Sequence, residues 1–174
     1  MAGIIAWWKR RNYRNEAKDR LHAILFQFPG DMPRIEELYP SIGGTIDTSY
    51  AEGRHPAYPA TIIGGAILAD LILTHWDHQV RHDILNEWRE FDVAALYGKD
   101  GRLNLMALEG VSGGTQWIVL ALNLVMSWRQ KGELSDQEEE FFTSSVLGSL
   151  EGKDHHELGV ERTLAIVRKH LLGS

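Results

Sequence analysis

The sequence predicts an all-α fold, a single-domain helical bundle of about five to seven helices over residues 1–174. Apolar residues recur at spacings of three and four through most of the chain, which is the period of an amphipathic helix. No two segments alternate polar and apolar residues in the way that paired strands do. A length of 174 residues is enough for one domain to bury its own core.

The first predicted helix spans residues 3–28. Its apolar residues follow one another at spacings of 4, 4, 3 and 4, which places them on one helical face: Tyr13, Ala17, Leu21, Ile24 and Phe28. Pro29-Gly30 ends this helix, and a short helix through Leu38 follows it.

Residues 40–58 are expected to form a long loop. Pro40 and Pro56 lie near its two ends, and Gly43-Gly44 and several serines and threonines lie between them. This composition is typical of turns. A loop of such length inside a compact domain often has a functional role.

The longest regular stretch covers residues 59–97. Its apolar residues keep helical spacing, and neither glycine nor proline occurs from Ala66 to Tyr97. The pattern is compatible with one long helix or with two helices that meet near residues 78–83, and the sequence leaves both open.

Three further helices complete the predicted bundle. Residues 115–130 are apolar on every side, so we expect this helix to be the central buried one. Ser135 and Glu138 form a capping-box pattern before a helix that ends near residue 150, and a last helix covers about residues 157–172. These faces predict a core made of Leu21, Ile24, Phe28, Ile62, Leu73, Trp76, Ile84, Trp88, Phe91, Trp117, Leu120, Leu124, Phe142, Val146, Leu164 and Val167.

Charge is distributed unevenly along the chain. Lys and Arg number 18 and Asp and Glu number 24, which gives −6. Residues 9–20 carry six basic and two acidic groups, or +4, so residues 21–174 carry 12 and 22, or −10. Nucleic acid is therefore not an expected partner, because the chain as a whole lacks a basic footprint. The absence of cysteine excludes disulfides and thiolate metal sites.

The expected location is the cytoplasm. In MAGIIAWWKRR the basic residues follow the apolar ones, which is not the order of a secretory signal. No unbroken apolar stretch reaches the roughly 18 residues that a membrane-spanning helix needs. Contact with the inner face of a membrane remains compatible with this location.

The N-terminal residues form the candidate partner-binding site. Two adjacent tryptophans precede a basic run, and the site consists of Trp7, Trp8, Lys9, Arg10, Arg11 and Arg14. Tryptophan and arginine are enriched at the hot spots of protein interfaces. We therefore expect a non-enzymatic interaction protein, such as an adaptor, inhibitor, immunity or assembly factor. Residues 1–20 would be a projecting helical arm that contacts a protein partner or a second copy in a homo-oligomer.

The same residues also fit a membrane surface. Indoles prefer the headgroup level of a bilayer, and basic side chains are attracted to anionic lipid. Residues 1–14 are therefore an alternative site of peripheral membrane contact.

Three histidines give an alternative function as a metal-dependent helical enzyme. On a helix, His75, His78 and His82 share a sector of about 60°, and histidines four residues apart can chelate a divalent metal such as zinc. The ligand set is incomplete, however. The apolar stripe of this helix also lies on the opposite side, so a solvated polar face explains the histidines equally well.

A third alternative is a small serine hydrolase. The segment Gly110-Val-Ser112-Gly-Gly114 matches the G-x-S-x-G pattern and resembles the nucleophile elbow of α/β-hydrolases. The resemblance implies that Ser112 is the catalytic nucleophile. The elbow also requires a preceding strand within a parallel sheet, and the sequence predicts no such sheet.

Overall fold

The computed structural model of the chain describes residues 2–25, 37, 39–75, 82, 86, 98–100, 102, 104–109 and 113–151. Within these ranges the chain forms five α-helices: α1 (Ala2–Leu25), α2 (Ile42–Ala51), α3 (Ala57–His75), α4 (Gly113–Gln130) and α5 (Asp136–Glu151). A single 3₁₀ turn covers Leu105–Leu108, and the same ranges contain no strand. The predicted all-α class is therefore confirmed, whereas the assignment of residues 1–174 to a single domain stays a prediction.

Helix α3 is the most completely buried element of the described bundle. Every side-chain position from Ala57 to Ala69 is buried. A Cβ atom added to Gly64 would lie 2.9 Å from two methyl groups of Ile24 on α1. One added to Gly65 would lie 3.0 Å from the Phe142 ring on α5. The two glycines therefore allow α1 and α5 to pack closely against α3.

Helix α4 was expected at the centre, and its burial is instead one-sided among the side chains described. Ile118 and Val125 are fully buried, whereas Leu122 and Leu124 are only half-buried. The apolar composition of a helix determines how much apolar surface it can bury. It does not determine which helix the others pack against, and in this fold Gly64 and Gly65 of α3 permit close contact with α1 and α5.

The described core agrees with the predicted core at five of the seven positions that can be compared. Leu21, Ile24, Ile62, Phe142 and Val146 are buried. Leu120 and Leu124 are half-buried. The remaining predicted core side chains lie outside the described residues: Phe28, Leu73, Trp76, Ile84, Trp88, Phe91, Trp117, Leu164 and Val167.

The prediction of a long loop over residues 40–58 is wrong, because α2 lies within this segment. Ile42, Ile46 and Ser49 follow one another at spacings of four and three, and all three are buried. Burial of this face outweighs the low helix propensity of Gly43 and Gly44, which lie exposed in the first turn.

The boundary between α4 and α5 follows the local sequence signals. Gly132 ends α4 with a φ of +76°. The Ser135 N–H donates to Glu138 Oε2 at 2.6 Å, and the Glu138 N–H donates to Ser135 Oγ at 3.3 Å. This reciprocal pair confirms the capping box.

Arg20 joins α1 to this boundary. Its Nη1 donates to Glu133 at 2.6 Å, and its guanidinium lies 5.0 Å from the centre of the Trp128 ring. Arg20 also pairs with Glu16 at 3.0 Å within α1. The side chains of Arg20 and Glu133 are 17% and 20% exposed, so this ion pair is mostly shielded from solvent.

Several predicted segments lie outside the described residues, namely the end of the first helix and the last helix at 157–172. Of the short helix through Leu38, only Glu37 is described, and it is helical. Helix α3 is described as far as His75, so the choice between one and two helices over 59–97 is not tested. Of the helices in the described part, none has both the length and the apolar character needed to cross a bilayer.

Candidate partner-binding surface

The first three turns of α1 expose four large apolar side chains. Ile4, Ile5, Trp7 and Trp8 are between 54% and 72% exposed, and we call them the apolar tip. All positions from Gly3 to Asn12 are exposed, although a helix in a bundle normally buries one apolar face. An exposed apolar patch beside polar residues is typical of an interaction site.

Contact between α1 and α2 is centred on Asp47. Arg10 donates to this carboxylate from Nε at 3.1 Å and from Nη2 at 2.6 Å. Arg14, one turn further along α1, donates from Nε at 2.6 Å and also from Nη2. Each arginine is therefore bidentate, a geometry that fixes orientation as well as distance. We call these three residues the Asp47 clamp.

The electrostatics of the Asp47 clamp favour the charged carboxylate. Hydrogen bonds from Arg14 and then Arg10 hold the pKa of Asp47 well below its usual range. The Asp47 carboxylate is therefore ionised at neutral pH.

A second contact between α1 and α2 lies beside the clamp. The rings of Tyr13 and Tyr50 meet edge to face, with their centres 5.1 Å apart. Burial raises the pKa of Tyr13 to about 12, so its hydroxyl remains neutral. Ala17 is fully buried one turn beyond Tyr13. Helix α1 is thus held on α2 from Arg10 onward.

A groove of about 610 Å³ runs between α1 and α2, and we call it the cationic groove. Gly43 and Ile46 form its α2 side. Its α1 side consists of Trp7, Arg10, Arg11, Arg14, Asn15 and Lys18. Four of these six side chains are cations, and two of the four belong to the Asp47 clamp.

Arg11 differs from the two clamp arginines. Its guanidinium lies 5.3 Å from the centre of the Trp7 ring, which is a cation–π distance. Within the described part of the chain Arg11 takes part in no ion pair. Its charge is thus available to a ligand, and it lines the cationic groove beside Trp7 of the apolar tip.

The structure describes all six residues of the predicted partner-binding site. Trp7, Trp8, Lys9 and Arg11 are exposed. Arg10 and Arg14 are exposed as well, but they also connect α1 to α2 through the clamp.

Sequence reasoning missed the other residues of this surface, which are Asp47, Asn15, Lys18, Gly43 and Ile46. Lys18 was visible in the sequence, because it continues the spacing of Trp7, Arg11 and Arg14. Asp47 carried no signal, since it lies 33 and 37 positions from its partners and inside the segment predicted to be a loop.

The three predicted metal ligands are only partly described. His75 is the last residue of α3, but its side chain and all of His78 lie outside the described residues. His82 is exposed, and its Nδ1 lies 3.0 Å from Nδ2 of Asn86. Among the described side chains, no three His, Cys, Asp or Glu residues are arranged to hold a metal ion. The metal site stays a prediction.

Ser112 also lies outside the described residues, so its role stays a prediction. The chain before it forms the 3₁₀ turn Leu105–Leu108. This turn is not the strand that a nucleophile elbow requires.

Comparison of the chain with protein-family models, with curated proteins and with solved structures finds no match. The apolar tip and the cationic groove are therefore the observations from which a function is inferred.

Proposed function

We propose that the protein is a cytoplasmic, non-enzymatic interaction protein that binds a protein partner through the N-terminal half of α1. An adaptor, inhibitor, immunity or assembly factor would act in this way. One observation carries the proposal: the exposed apolar tip adjoins a groove lined by four cations. Tryptophan and arginine supply much of the binding energy at protein interfaces.

The partner's contact surface is expected to be acidic around an apolar centre. Carboxylates of the partner would face Arg11, while apolar side chains would cover Trp8 and Ile4. Such complementarity raises the association rate and selects the partner.

Shape favours a protein over a lipid bilayer. A bilayer presents a flat layer of headgroups, which can reach the apolar tip and Lys9. The cationic groove is concave, and Arg14 and Lys18 line it together with Gly43 on the opposite side. A protruding acidic segment of a protein reaches such a groove, and a planar surface does not.

Site-specific cross-linking tests the proposal directly. A photoreactive amino acid replaces Trp8 on the apolar tip, and the control places it at Gln130, which is exposed at the end of α4. Irradiation of the cells that make the protein should cross-link one protein from position 8 and not from position 130. That protein is then purified and its Kd for the unmodified chain is measured.

Two variants show whether the contact uses the proposed surface. We expect Trp8→Ala and Arg11→Gln each to weaken binding by about tenfold or more, in the range of interface hot spots. Lys131→Gln, an exposed charge change in the turn after α4, should leave the Kd unchanged. Equal Kd values for Arg11→Gln, Trp8→Ala and the unaltered chain would refute the proposal.

Vesicles provide the test of the membrane alternative. The protein is mixed with phosphatidylcholine vesicles with and without phosphatidylglycerol, and binding is measured by flotation. Binding that requires the anionic lipid, together with no protein cross-link from position 8, would overturn the proposed function in favour of membrane contact. Absence of flotation is the expected result.

A further inference from the structure

The cationic groove carries an excess of positive charge among its described residues. Arg10 and Arg14 share the single carboxylate of Asp47, so the Asp47 clamp holds two positive charges and one negative charge, or +1. Arg11 adds a further positive charge and takes part in no ion pair within the described part of the chain. Lys18 also lines the groove, but it already interacts within the chain and is not part of this excess. The excess is therefore +2 without any contribution from Lys18.

The arginines of the groove also keep hydrogen-bond donors in reserve. A guanidinium has N–H groups on all three of its nitrogens, arranged in a planar fork that matches an oxyanion. Asp47 accepts from Nε and Nη2 of both Arg10 and Arg14, which leaves the Nη1 group of each arginine unused by the clamp. The Arg11 guanidinium contacts the Trp7 ring and donates no hydrogen bond to another described residue. Both charge and donors are thus available to an anion.

Arg11 and Arg14 are placed so that one group can reach both of them. They lie three positions apart on α1, where Cβ atoms are about 5–6 Å from each other, and both line the groove. On the opposite side Gly43 has no side chain, and a Cβ atom added there would meet no other atom within 4 Å. An anionic group that enters over Gly43 therefore meets the two guanidinium groups together.

We infer that the cationic groove binds a phosphorylated segment of the partner protein, with the phosphoryl group between Arg11 and Arg14. A carboxylate at Arg11 balances one of the two excess charges and leaves the charge of the Asp47 clamp unbalanced. A phosphoryl group carries about −1.5 to −2 charges at pH 7 and three acceptor oxygens, so it balances both from one position. Clusters of arginine are a general means of recognising phosphorylated segments. This inference rests on the proposed function and makes phosphorylation of the partner the signal that strengthens its binding.

The apolar tip indicates that the phosphoryl group belongs to a polypeptide rather than to free phosphate or to a lipid. Trp7 precedes Arg11 and Arg14 by about 6 and 10 Å along the axis of α1. An extended peptide spans these distances in about two to three residues, so one short segment covers Trp7 with an apolar side chain and places a phosphoryl group in the groove. Free phosphate leaves the tip exposed, and a lipid phosphate lies in a planar layer that does not enter a concave groove.

Matched peptides test the inference with the full-length protein. Each peptide has a leucine about three residues before a central position, and this position is phosphoserine, glutamate or serine. Anisotropy of a fluorescent label gives the three Kd values. We expect the phosphoserine peptide to bind at least about tenfold more tightly than the glutamate peptide, and the serine peptide to bind most weakly. Equal Kd values for the phosphoserine and glutamate peptides would overturn the inference.

Two pairs of variants show whether the phosphoserine peptide lies in the groove. Arg11→Gln should weaken its binding by at least about tenfold, and Lys131→Gln, a charge change outside the groove, should not. Gly43→Phe fills the open space above α2 and should abolish binding. Gly44→Phe is its matched control, because an added Cβ there also meets no atom within 4 Å but Gly44 does not line the groove. Circular dichroism confirms that the variants fold, and equal binding within either pair would overturn the inference.

Competition identifies the source of the phosphoryl group. The competitors are inorganic phosphate and phosphatidylcholine vesicles that contain phosphatidic acid, each added to the complex with the phosphoserine peptide. We expect neither to displace the peptide at an equal concentration of phosphoryl groups. Displacement by inorganic phosphate would show a site for the free ion, and displacement by the vesicles would show a lipid site; either result would overturn the phosphorylated protein as the occupant.

The protein cross-linked from position 8 separates this inference from the proposed function. Its Kd is measured before and after treatment with a phosphatase, and we expect the treatment to weaken binding by at least about tenfold. An unchanged Kd would overturn the inference and would leave the proposed function supported by the cross-link. Selective binding of the phosphoserine peptide without any cross-linked protein would support a phosphoryl-binding groove and would refute its use by a partner in the cell.

Discussion

Substitution of Gly64 by alanine tests the packing at the centre of the bundle. In the interior of α3, alanine gains about 1 kcal/mol over glycine from helix propensity alone. The added Cβ, however, would lie 2.9 Å from Cδ1 and from Cγ2 of Ile24, and 3.3 Å from its Cβ. A change of rotamer would move the two methyl groups of Ile24. Its Cβ, however, moves only with the backbone of α1, so the 3.3 Å contact would remain.

The expected result is a net loss of stability. Overpacking of this kind lowers stability by up to about 3 kcal/mol, and the gain in helix propensity offsets about 1 kcal/mol of this loss. We therefore expect Gly64→Ala to lower the free energy of unfolding by up to about 2 kcal/mol. Urea unfolding followed by circular dichroism measures this change. Gly43→Ala is the matched control, because its Cβ enters open space and should raise stability by about 0.5–1 kcal/mol.

A double-mutant cycle assigns the loss to Ile24. Ile24→Ala alone creates a cavity and is expected to cost about 2–5 kcal/mol. In the Gly64→Ala background the new methyl group occupies part of that cavity, so the same change should cost at least about 1 kcal/mol less. Stabilisation by Gly64→Ala, equal to that by Gly43→Ala, would show that α1 does not approach α3 as closely as described.

Three further predictions concern the ion pairs and caps that hold the helices in place. Asp47→Asn should lower stability by about 1 kcal/mol at pH 7, because its carboxylate has a depressed pKa in the folded state and stabilises the fold only while ionised. Urea unfolding at a series of pH values should show that the difference in stability between Asp47→Asn and the unaltered chain shrinks below about pH 4, where the carboxylate of the unfolded chain becomes protonated. A difference that does not change with pH would show that the ionised Asp47 does not stabilise the fold. Glu133→Gln should lower the free energy of unfolding by about 1–2 kcal/mol, because the ion pair of Glu133 with Arg20 is shielded from solvent. Glu16→Gln should lower it by less than about 0.5 kcal/mol, because the Glu16 side chain is half exposed. Equal losses for the two variants in urea unfolding would contradict this ranking. Ser135→Ala should lower the thermal midpoint by the equivalent of about 1 kcal/mol, because it removes the capping hydrogen bond. Ser41→Ala should leave the midpoint unchanged, because the Ser41 side chain makes no capping hydrogen bond. A larger loss for Ser41→Ala than for Ser135→Ala would contradict the capping box.

Features encoded within a few residues could be read from the sequence. The capping box depends on two residues three positions apart, Ser135 and Glu138, and it was predicted correctly. The buried face of α1 was likewise visible in the spacing of Leu21 and Ile24. In both cases the sequence pattern lies within one or two helical turns.

Features that depend on distant residues could not be read in this way. Helix α2 contains Gly43-Gly44 and short polar residues, and its stability comes from the burial of Ile42 and Ile46 against the rest of the bundle. The central position of α3 depends on which helices approach Gly64 and Gly65. The Asp47 clamp joins residues more than 30 positions apart. A pattern of neighbouring residues cannot predict these contacts, because the residues that form them are far apart in the sequence.

The Asp47 clamp also divides α1 into two zones of different amide hydrogen exchange. From Ala17 onward, the helical hydrogen bonds are protected by tertiary packing and open only with the bundle. Residues 3–9 are all exposed, so their helical hydrogen bonds depend largely on local helix propensity. A helix shorter than about 12 residues is only marginally stable in water when it is isolated. Their amides should exchange by fraying from the N-terminus as far as the clamp. A partner that covers the apolar tip must also suppress this fraying, so part of its binding free energy is used to complete the helix.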